Sequence, residues 1–326
     1  MRRSPLSYLL LAAAAFLGSG AAAPAQDFPT RPVTFVVPFP AGSGTDGIAR
    51  VVAEEVRRGL GQPVTVENKA GGDGTIAARS VAGAAPDGYT ILIGGNSTHS
   101  AAANLFRNLP YDPIRDLAPV GGLMKIPLLM AIRPDFPAAD IRGFLARASA
   151  AEGGRKLSFG SSNTSSRAAA ELFRSRAKVD LLHVPYRGSP QALTDLIGGR
   201  IDVFFVDPSA ASGMVEEGTI RALGVTSGAR LSRFPNVPTI AEAAGLPDYE
   251  MVAWIAAFAP AGTPAPIVDR LAREIAAALE RPDVKSYLAK VGGEPFGVGP
   301  DQLRAFSTAD IAKWAEIVEL SGMERR

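Results

Sequence analysis

Apolar positions along this chain follow two alternating periods. Val33, Phe35, Val36 and Val37 form a β-rich run, and Pro38 and Pro40 end it because proline cannot donate to a sheet ladder. After a loop of small residues, Ile48, Val51, Val52, Val56 and Leu60 recur at helical spacing. Two similar units follow: strand 63–67, loop 68–74 and helix 75–84, then strand 89–93, loop 94–100 and a short helix through Phe106. Strands alternating with helices predict parallel strands joined by right-handed crossovers. Loops that follow such strands leave at one sheet edge, where ligands bind. The loops GSGTDG, NKAGGDG and GNSTHS are therefore expected side by side.

The pattern then changes and repeats. Residues 109–119 are a proline-punctuated connector, and 120–132 read as extended chain leading away from the first sheet. A turn at 133–136 and a helix at 141–148 come next. A second set of units has strand 157–160, polar loop 161–165 and helix 166–176. Strand 181–184, loop 186–189 and helix 190–197 follow, with Pro190 in the first helical turn. Strand 201–206 leads into Asp207-Pro208-Ser209, and strand 220–226 precedes a short helix at 239–244. The chain closes with strand 251–258 and helices at 266–279, 282–291 and 300–320, the second capped by Gly292-Gly293. Two sets of strands, each with glycine- and hydroxyl-rich loops at one edge, predict two α/β lobes with a ligand cleft between them.

Charge and composition narrow the partners. Residues 1–25 carry Arg2 and Arg3, an apolar stretch at 9–17 and the small residues Ala23-Pro24-Ala25, the pattern of an export signal cut after Ala25. The arginine pair raises the twin-arginine route, but Ser4-Pro5 matches it poorly, which favours general secretion. There are 34 basic and 32 acidic residues, and removal of the signal takes two arginines and no acids, leaving a neutral chain. Neutrality argues against nucleic acid as a partner. No cysteine is present, so neither a disulfide nor a lipid anchor on cysteine can form. No later apolar run reaches the roughly 18 residues that span a bilayer. An exported soluble protein of the periplasm is expected, with roughly two domains in about 300 residues.

Candidate chemistry gathers at the loop ends. Ser43 and Asp46 fit the S-x-x-D pattern that caps a helix, and a glycine-preceded helix start attracts anions. Gly42, Gly44 and Gly47 also spell G-x-G-x-x-G, with Glu67 about 20 residues on, as a dinucleotide fold requires. Four residues, Pro38 to Ala41, separate those glycines from the strand, and Asp46 would oppose a pyrophosphate. A small carboxylate suits the loop better, and a turn with no ligand stays open. Lys69 and Arg187, in loops at the same edges, could pair a second carboxylate. His99 lies where it could touch a ligand, whereas His183 in a strand reads as packed. Trp254 and Trp314 read as packing residues. No cysteine or H-x-x-x-H cluster supports a metal, and no G-x-S-x-G follows a strand. An exported enzyme using Asp46, Asp73 or Asp207 as acid-base groups is the alternative, without a histidine-centred constellation to support it; a nucleotide-dependent oxidoreductase conflicts with export.

The segments RPVTFVVPFPAGSGTDGIAR, ENKAGGDGTIAARSVAGAAPDGYTILIG, LPYDPIRDLAPV, HVPYRGSPQALTDLIGGRIDVFF and KWAEIVELSGM follow one another along the chain. In these words it resembles the tripartite tricarboxylate transporter substrate-binding family, also called the Bug family. That resemblance implies a periplasmic receptor of the two-lobed type II binding-protein kind, each lobe a mostly parallel sheet flanked by helices. Such a receptor uses no cofactor and catalyses nothing. It acts as a monomer and hands a small carboxylate to a permease of two integral-membrane subunits. The ligand classes it admits are di- and tricarboxylates, amino acids and aromatic acids. The first lobe would comprise 26–124 and 250–326, and the second 125–249. The resemblance points to Phe39, Ala41, Gly42, Ser43, Gly44, Thr45, Asp46, Ser97 and Thr98 as ligand contacts in the first lobe. In the second it points to Ser161, Ser162, Asn163, Thr164, Ser165 and Asp207. Asp46 reads as a contact, a cap or both, and with Asp207 it suits a ligand bearing an ammonium or hydroxyl. The segment SSNTSSR at 161–167 departs from the longer glycine-containing loop and histidine of many members.

Overall fold

The computed structural model describes residues 28–150, 155–321 and 323–325. The export signal expected over 1–25 lies outside the described residues. Eleven strands and eleven α-helices are described, and the strands form two sheets.

The first sheet is built from β1 (Val33–Val37), β2 (Val64–Asn68), β3 (Thr90–Gly95), β4 (Leu117–Pro127), β10 (Val252–Pro260) and β11 (Glu294–Pro295), in the order β11-β4-β10-β3-β1-β2. β1 pairs parallel with β2 and β3, as the alternation of strands and helices predicts. β10 runs antiparallel between β3 and β4. No helix crossover precedes it that would force it parallel, and antiparallel pairing is the more stable arrangement per residue. The second sheet contains β5 (Leu129–Ile132), β6 (Ser158–Ser161), β7 (Leu182–Pro185), β8 (Val203–Val206) and β9 (Arg221–Val225), in the order β7-β6-β8-β5-β9. Here too the helix-linked strands β6, β7 and β8 pair parallel, while β5 is antiparallel to both neighbours.

The stretch 120–132 was expected to lead away from the first sheet. Instead β4 is an eleven-residue member of that sheet and β5 belongs to the other. Their common apolar run carries no mark of the change, because both sheets are buried on both faces here. The change of sheet falls at Leu128. Its N–H donates to Thr226 Oγ1 at 2.8 Å, its carbonyl accepts from Thr226 N–H, and Thr226 O in turn accepts from Met251 N–H. Both crossings between sheets therefore run through one short hydrogen-bonded triple.

Helix α1 (Gly44–Leu60) starts at Ser43, whose hydroxyl accepts the Asp46 N–H at 3.2 Å, and ends at Gly61 in the left-handed region. Its apolar stripe of Ile48, Val52 and Val56 is buried against the first sheet. Helices α2 (Thr75–Ala82) and α3 (Ser100–Leu105) follow β2 and β3, and α4 (Ile141–Ala150) follows β5. In the second half, α5 (Thr164–Arg176), α6 (Ser189–Ile197) and α7 (Pro208–Glu216) follow β6, β7 and β8; Pro208 and Ser209, expected in a loop, form the first turn of α7. After α8 (Ile240–Ala244), α9 (Ala265–Leu279) and α10 (Pro282–Val291) pack on the first sheet. The last helix, α11 (Pro300–Ser321), serves both halves. Trp314, Ile317 and Val318 join the core of Phe144, Phe159 and Phe173 in the second half. Leu303 joins the first-sheet cluster around Trp254 and Phe258.

His99 sits in the core rather than at a ligand. It is fully buried, stacks on Phe258 with ring centroids 3.9 Å apart, and holds Nδ1 3.0 Å from Thr98 Oγ1. Burial pushes its pKa down to about 3. The unfolded chain, with an ordinary histidine near 6.5, therefore binds the extra proton first, and stability is lost as pH falls through the interval from 6.5 to 3. Between pH 6.5 and 5 the loss from this group is about 2 kcal/mol. Melting temperatures from pH 7 to 5 should fall in the wild type and fall less steeply in His99→Leu; equal slopes would contradict this assignment.

Candidate functional site

A cavity of about 260 Å³ is lined by residues from both halves of the chain. Phe39 follows β1, Asp73 lies in the turn after β2, and Asn96 and Ser97 lie in the turn after β3. The three loops of the first half thus meet at one edge. Their contact is close at Gly74, where a Cβ would come within 2.9 Å of Thr98 Cγ2 and 3.1 Å of Pro38 Cβ, at a φ of +94°. Only glycine suits that position. From the second half come Asn163, Thr164 and Ser165 at the start of α5, and Asp207 at the end of β8. Ala101, Leu105, Phe106, Ala253 and Trp314 supply an apolar wall.

Helix α5 opens onto this cavity. Asn163 caps it, accepting the Ser166 N–H at 2.8 Å. The N–H groups of Thr164 and Ser165 have no acceptor within the helix and lie at its positive dipole end. The Asn163 amide also donates to Asp207 Oδ2 at 3.2 Å. Asp207 heads α7 without capping it, and it lines the cleft. Protein mass around it raises its pKa by desolvation, and the Asn163 hydrogen bond opposes that shift without cancelling it.

Of the residues singled out from sequence, Phe39, Ser97, Asn163, Thr164, Ser165 and Asp207 line the cavity together. Ser161 and Ser162 line an adjoining chamber. Ala41, Gly42, Ser43, Gly44, Thr45 and Asp46 are not in the cavity wall. Thr98 is buried, with its hydroxyl bonded to Gly95 and His99. Asp46 braces its own loop: it accepts from Gly42 N–H at 2.8 Å, Asn68 Nδ2 at 2.9 Å and Arg50 Nε at 3.0 Å. Arg50 above all holds its pKa down to about 2, although burial opposes this. Its carboxylate is only 3% exposed despite lying near the surface. Lys69 pairs with Glu67 at 3.4 Å.

Sequence reasoning left out Asn96, Asp73 and the apolar wall as contacts. Asp73 had a signal, since its loop was expected at this edge. The wall had none, because it comes from α3, β10 and α11. What assembles it is Asp310, 2% exposed. Its carboxylate accepts from Trp254 Nε1 at 2.7 Å, from Asn96 Nδ2 at 3.3 Å and from the Ser100 hydroxyl, and pairs with Lys313 at 3.1 Å. Asn96 Oδ1 accepts the Trp254 N–H at 2.7 Å, closing the network. No group of three or more His, Cys, Asp or Glu among the described residues could hold a metal.

The two acids at this edge should respond oppositely to neutralisation. Asp46→Asn removes a charge the fold stabilises and should cost about 1–2 kcal/mol at pH 7, since half-exposed Arg50 is partly screened. Asp207→Asn removes a charge that burial disfavours, so stability should stay level or rise. Urea titrations of the two variants check this; a larger loss in Asp207→Asn would contradict it.

Residues 48–323 match the family model described as the tripartite tricarboxylate transporter family receptor. Protein BugT of Bordetella pertussis is 35% identical over 93% of this chain and 94% of its own length. Among solved structures, MatC from Rhodopseudomonas palustris with bound malate is 36% identical, with a TM-score of 0.69, covering 89% of this chain and all of the other. R. palustris Rpa4515 with adipate is 35% identical, with a TM-score of 0.73, covering 90% and 98%.

Proposed function

The chain belongs to the tripartite tricarboxylate transporter receptor family, and from that premise we propose how this receptor holds its carboxylate. The family's members are periplasmic solute-binding receptors, and two structural neighbours hold dicarboxylates, adipate and malate. In our reading one ligand carboxylate lies at the start of α5, taking the N–H groups of Thr164 and Ser165 and the hydroxyls of Ser97, Thr164 and Ser165. Helix starts favour anions by dipole and by unpaired donors together. The carbon chain lies against Leu105, Phe106 and Trp314. The observation that carries this is a single cavity drawing hydroxyls and a helix start from one side and a hydroxyl turn and apolar wall from the other.

The same reading extends to the rest of the molecule. The lobes expected at 26–124 with 250–326 and at 125–249 are read with their first boundary moved to Leu128, since β4 keeps residues 125–127 in the first sheet, and they close about the Leu128–Thr226–Met251 triple. The first 25 residues are removed on export, and the receptor acts as a monomer. The loaded receptor passes its ligand to the membrane permease and leaves it chemically unchanged. Ser161 Oγ lies 2.7 Å from His183 Nε2, but no carboxylate among the described residues bonds the other ring nitrogen, so the pair lacks the group that orients a catalytic base.

A thermal-shift panel of mono-, di- and tricarboxylates, amino acids and aromatic acids, with sugars and nicotinamide dinucleotides as controls, tests this. Ligand at about 100 times its Kd stabilises by roughly 2.7 kcal/mol, and dicarboxylates should give the shift. Stabilisation by dinucleotides alone would overturn the reading. A dicarboxylate without an ammonium group meets Asp207 as a second negative charge, so it binds better to the protonated acid. Its affinity should fall as pH rises through the raised Asp207 pKa, and Asp207→Asn should flatten that dependence in calorimetry.

A further inference from the structure

A second chamber of about 400 Å³ adjoins the cleft. Leu105, Asn163 and Thr164 line both spaces, so the first turn of α5 is their common wall. Arg167, one turn further along α5, lines the second chamber. It is loosely satisfied. One Nη2 donates to Ser321 O at 3.2 Å, while its buried Nε has no hydrogen-bond partner and stands 3.9 Å from Glu171 Oε1. Glu171 is itself engaged by Arg174 at 2.8 Å. The Nε is shut off from solvent beside Glu171, so it is the partly exposed outer part of the guanidinium that the chamber reaches, and a carboxylate is the group that pairs best with it.

The surroundings suit an anion. Ser161 and Ser162 present hydroxyls, the first bonded to His183 and the second 3.1 Å from Ser189 Oγ. His183 stacks on Phe159 with centroids 4.9 Å apart, and burial, then Arg167 and Arg174, lower its pKa. Among the described residues the one acid lining the chamber is Glu324, which is exposed near the C-terminus.

We infer that this chamber is a distal subsite in which Arg167 holds the second carboxylate of an α,ω-dicarboxylate. The methylenes pass over Leu105 and the first carboxylate stays at the start of α5. This rests on the carboxylate-receptor reading and makes it specific: the receptor prefers diacids with several methylenes over monoacids of equal length.

Calorimetry with hexanoate, succinate, adipate and pimelate tests it. In the wild type, adipate or pimelate should bind about tenfold or more tighter than hexanoate, the scale of one charge-assisted carboxylate pairing. Arg167→Gln should erase most of that ratio, and Glu324→Gln, a surface change, should raise it about two- to threefold by removing a like charge. Carboxylate binding with the ratio unaltered in Arg167→Gln overturns the distal subsite and leaves the receptor reading standing. Absence of binding by any carboxylate to the wild type overturns both. Should Arg167→Gln fail to fold, an unaltered ratio in Glu324→Gln overturns the subsite by itself.

Discussion

A single buried carboxylate, that of Asp310, organises the binding wall. A carboxylate taken out of water is costly unless donors gather around it. Here the indole of Trp254, the amide of Asn96 and the hydroxyl of Ser100 all donate to Oδ2, and the ammonium of Lys313 stands 3.1 Å from Oδ1. Each partner stands beside a cavity residue. Asn96 and Ser97 share a turn, Ser100 and Ala101 share α3, Ala253 precedes Trp254, and Trp314 lies one turn beyond Asp310 on α11. The demand of one charge for hydrogen bonds thus fixes four separate elements in one geometry. Binding then does not have to order them, which lowers the entropic cost of holding a small ligand.

The opposite wall is held differently. Asn163 both caps α5 and donates to Asp207, so the start of one helix and the head of α7 move as a unit. The halves meet again where Pro208, next to Asp207, packs on Gly292. A Cβ at Gly292 would lie 2.3 Å from Pro208 Cβ, at a φ of +69°, so glycine there permits the close approach. α11 crosses from the Asp310 network to the core of the second half, where Arg176 pairs with Glu316 at 2.9 Å. A hinge of two backbone hydrogen bonds and one to the Thr226 hydroxyl, one helix common to both halves and a glycine-permitted contact are the parts from which closure over a ligand is built.

Most of the elements were legible in the sequence because their causes are local. Strands β1, β2 and β3 and their helices follow from apolar period and glycine loops, and the Ser43–Asp46 cap spans three residues. Local reasoning also set the emphasis on Asp46, whose cap pattern is visible, and passed over Asp310. The three hydrogen-bond donors to Asp310, Trp254, Ser100 and Asn96, are 56, 210 and 214 residues away, and no window on the chain contains them. His99 was misread for the same reason: its loop pattern is polar, but Phe258 from β10 covers it. The antiparallel insertion of β10 and the two-residue β11 depend on what is already paired in the sheet, which periodicity does not record. Hydroxyl content marked the second-half loops as a cleft edge, the family resemblance named their residues, and Asn163, Thr164, Ser165 and Asp207 lie together at the cavity.

The most direct test of the account is a crystal structure of the chain with adipate. The account places one ligand carboxylate at the N–H groups of Thr164 and Ser165, facing Ser97, with the chain against Leu105 and Trp314. Ligand density away from the start of α5, or a ligand held by the loop from Ala41 to Asp46 with the Asp310-anchored wall left empty, would contradict it.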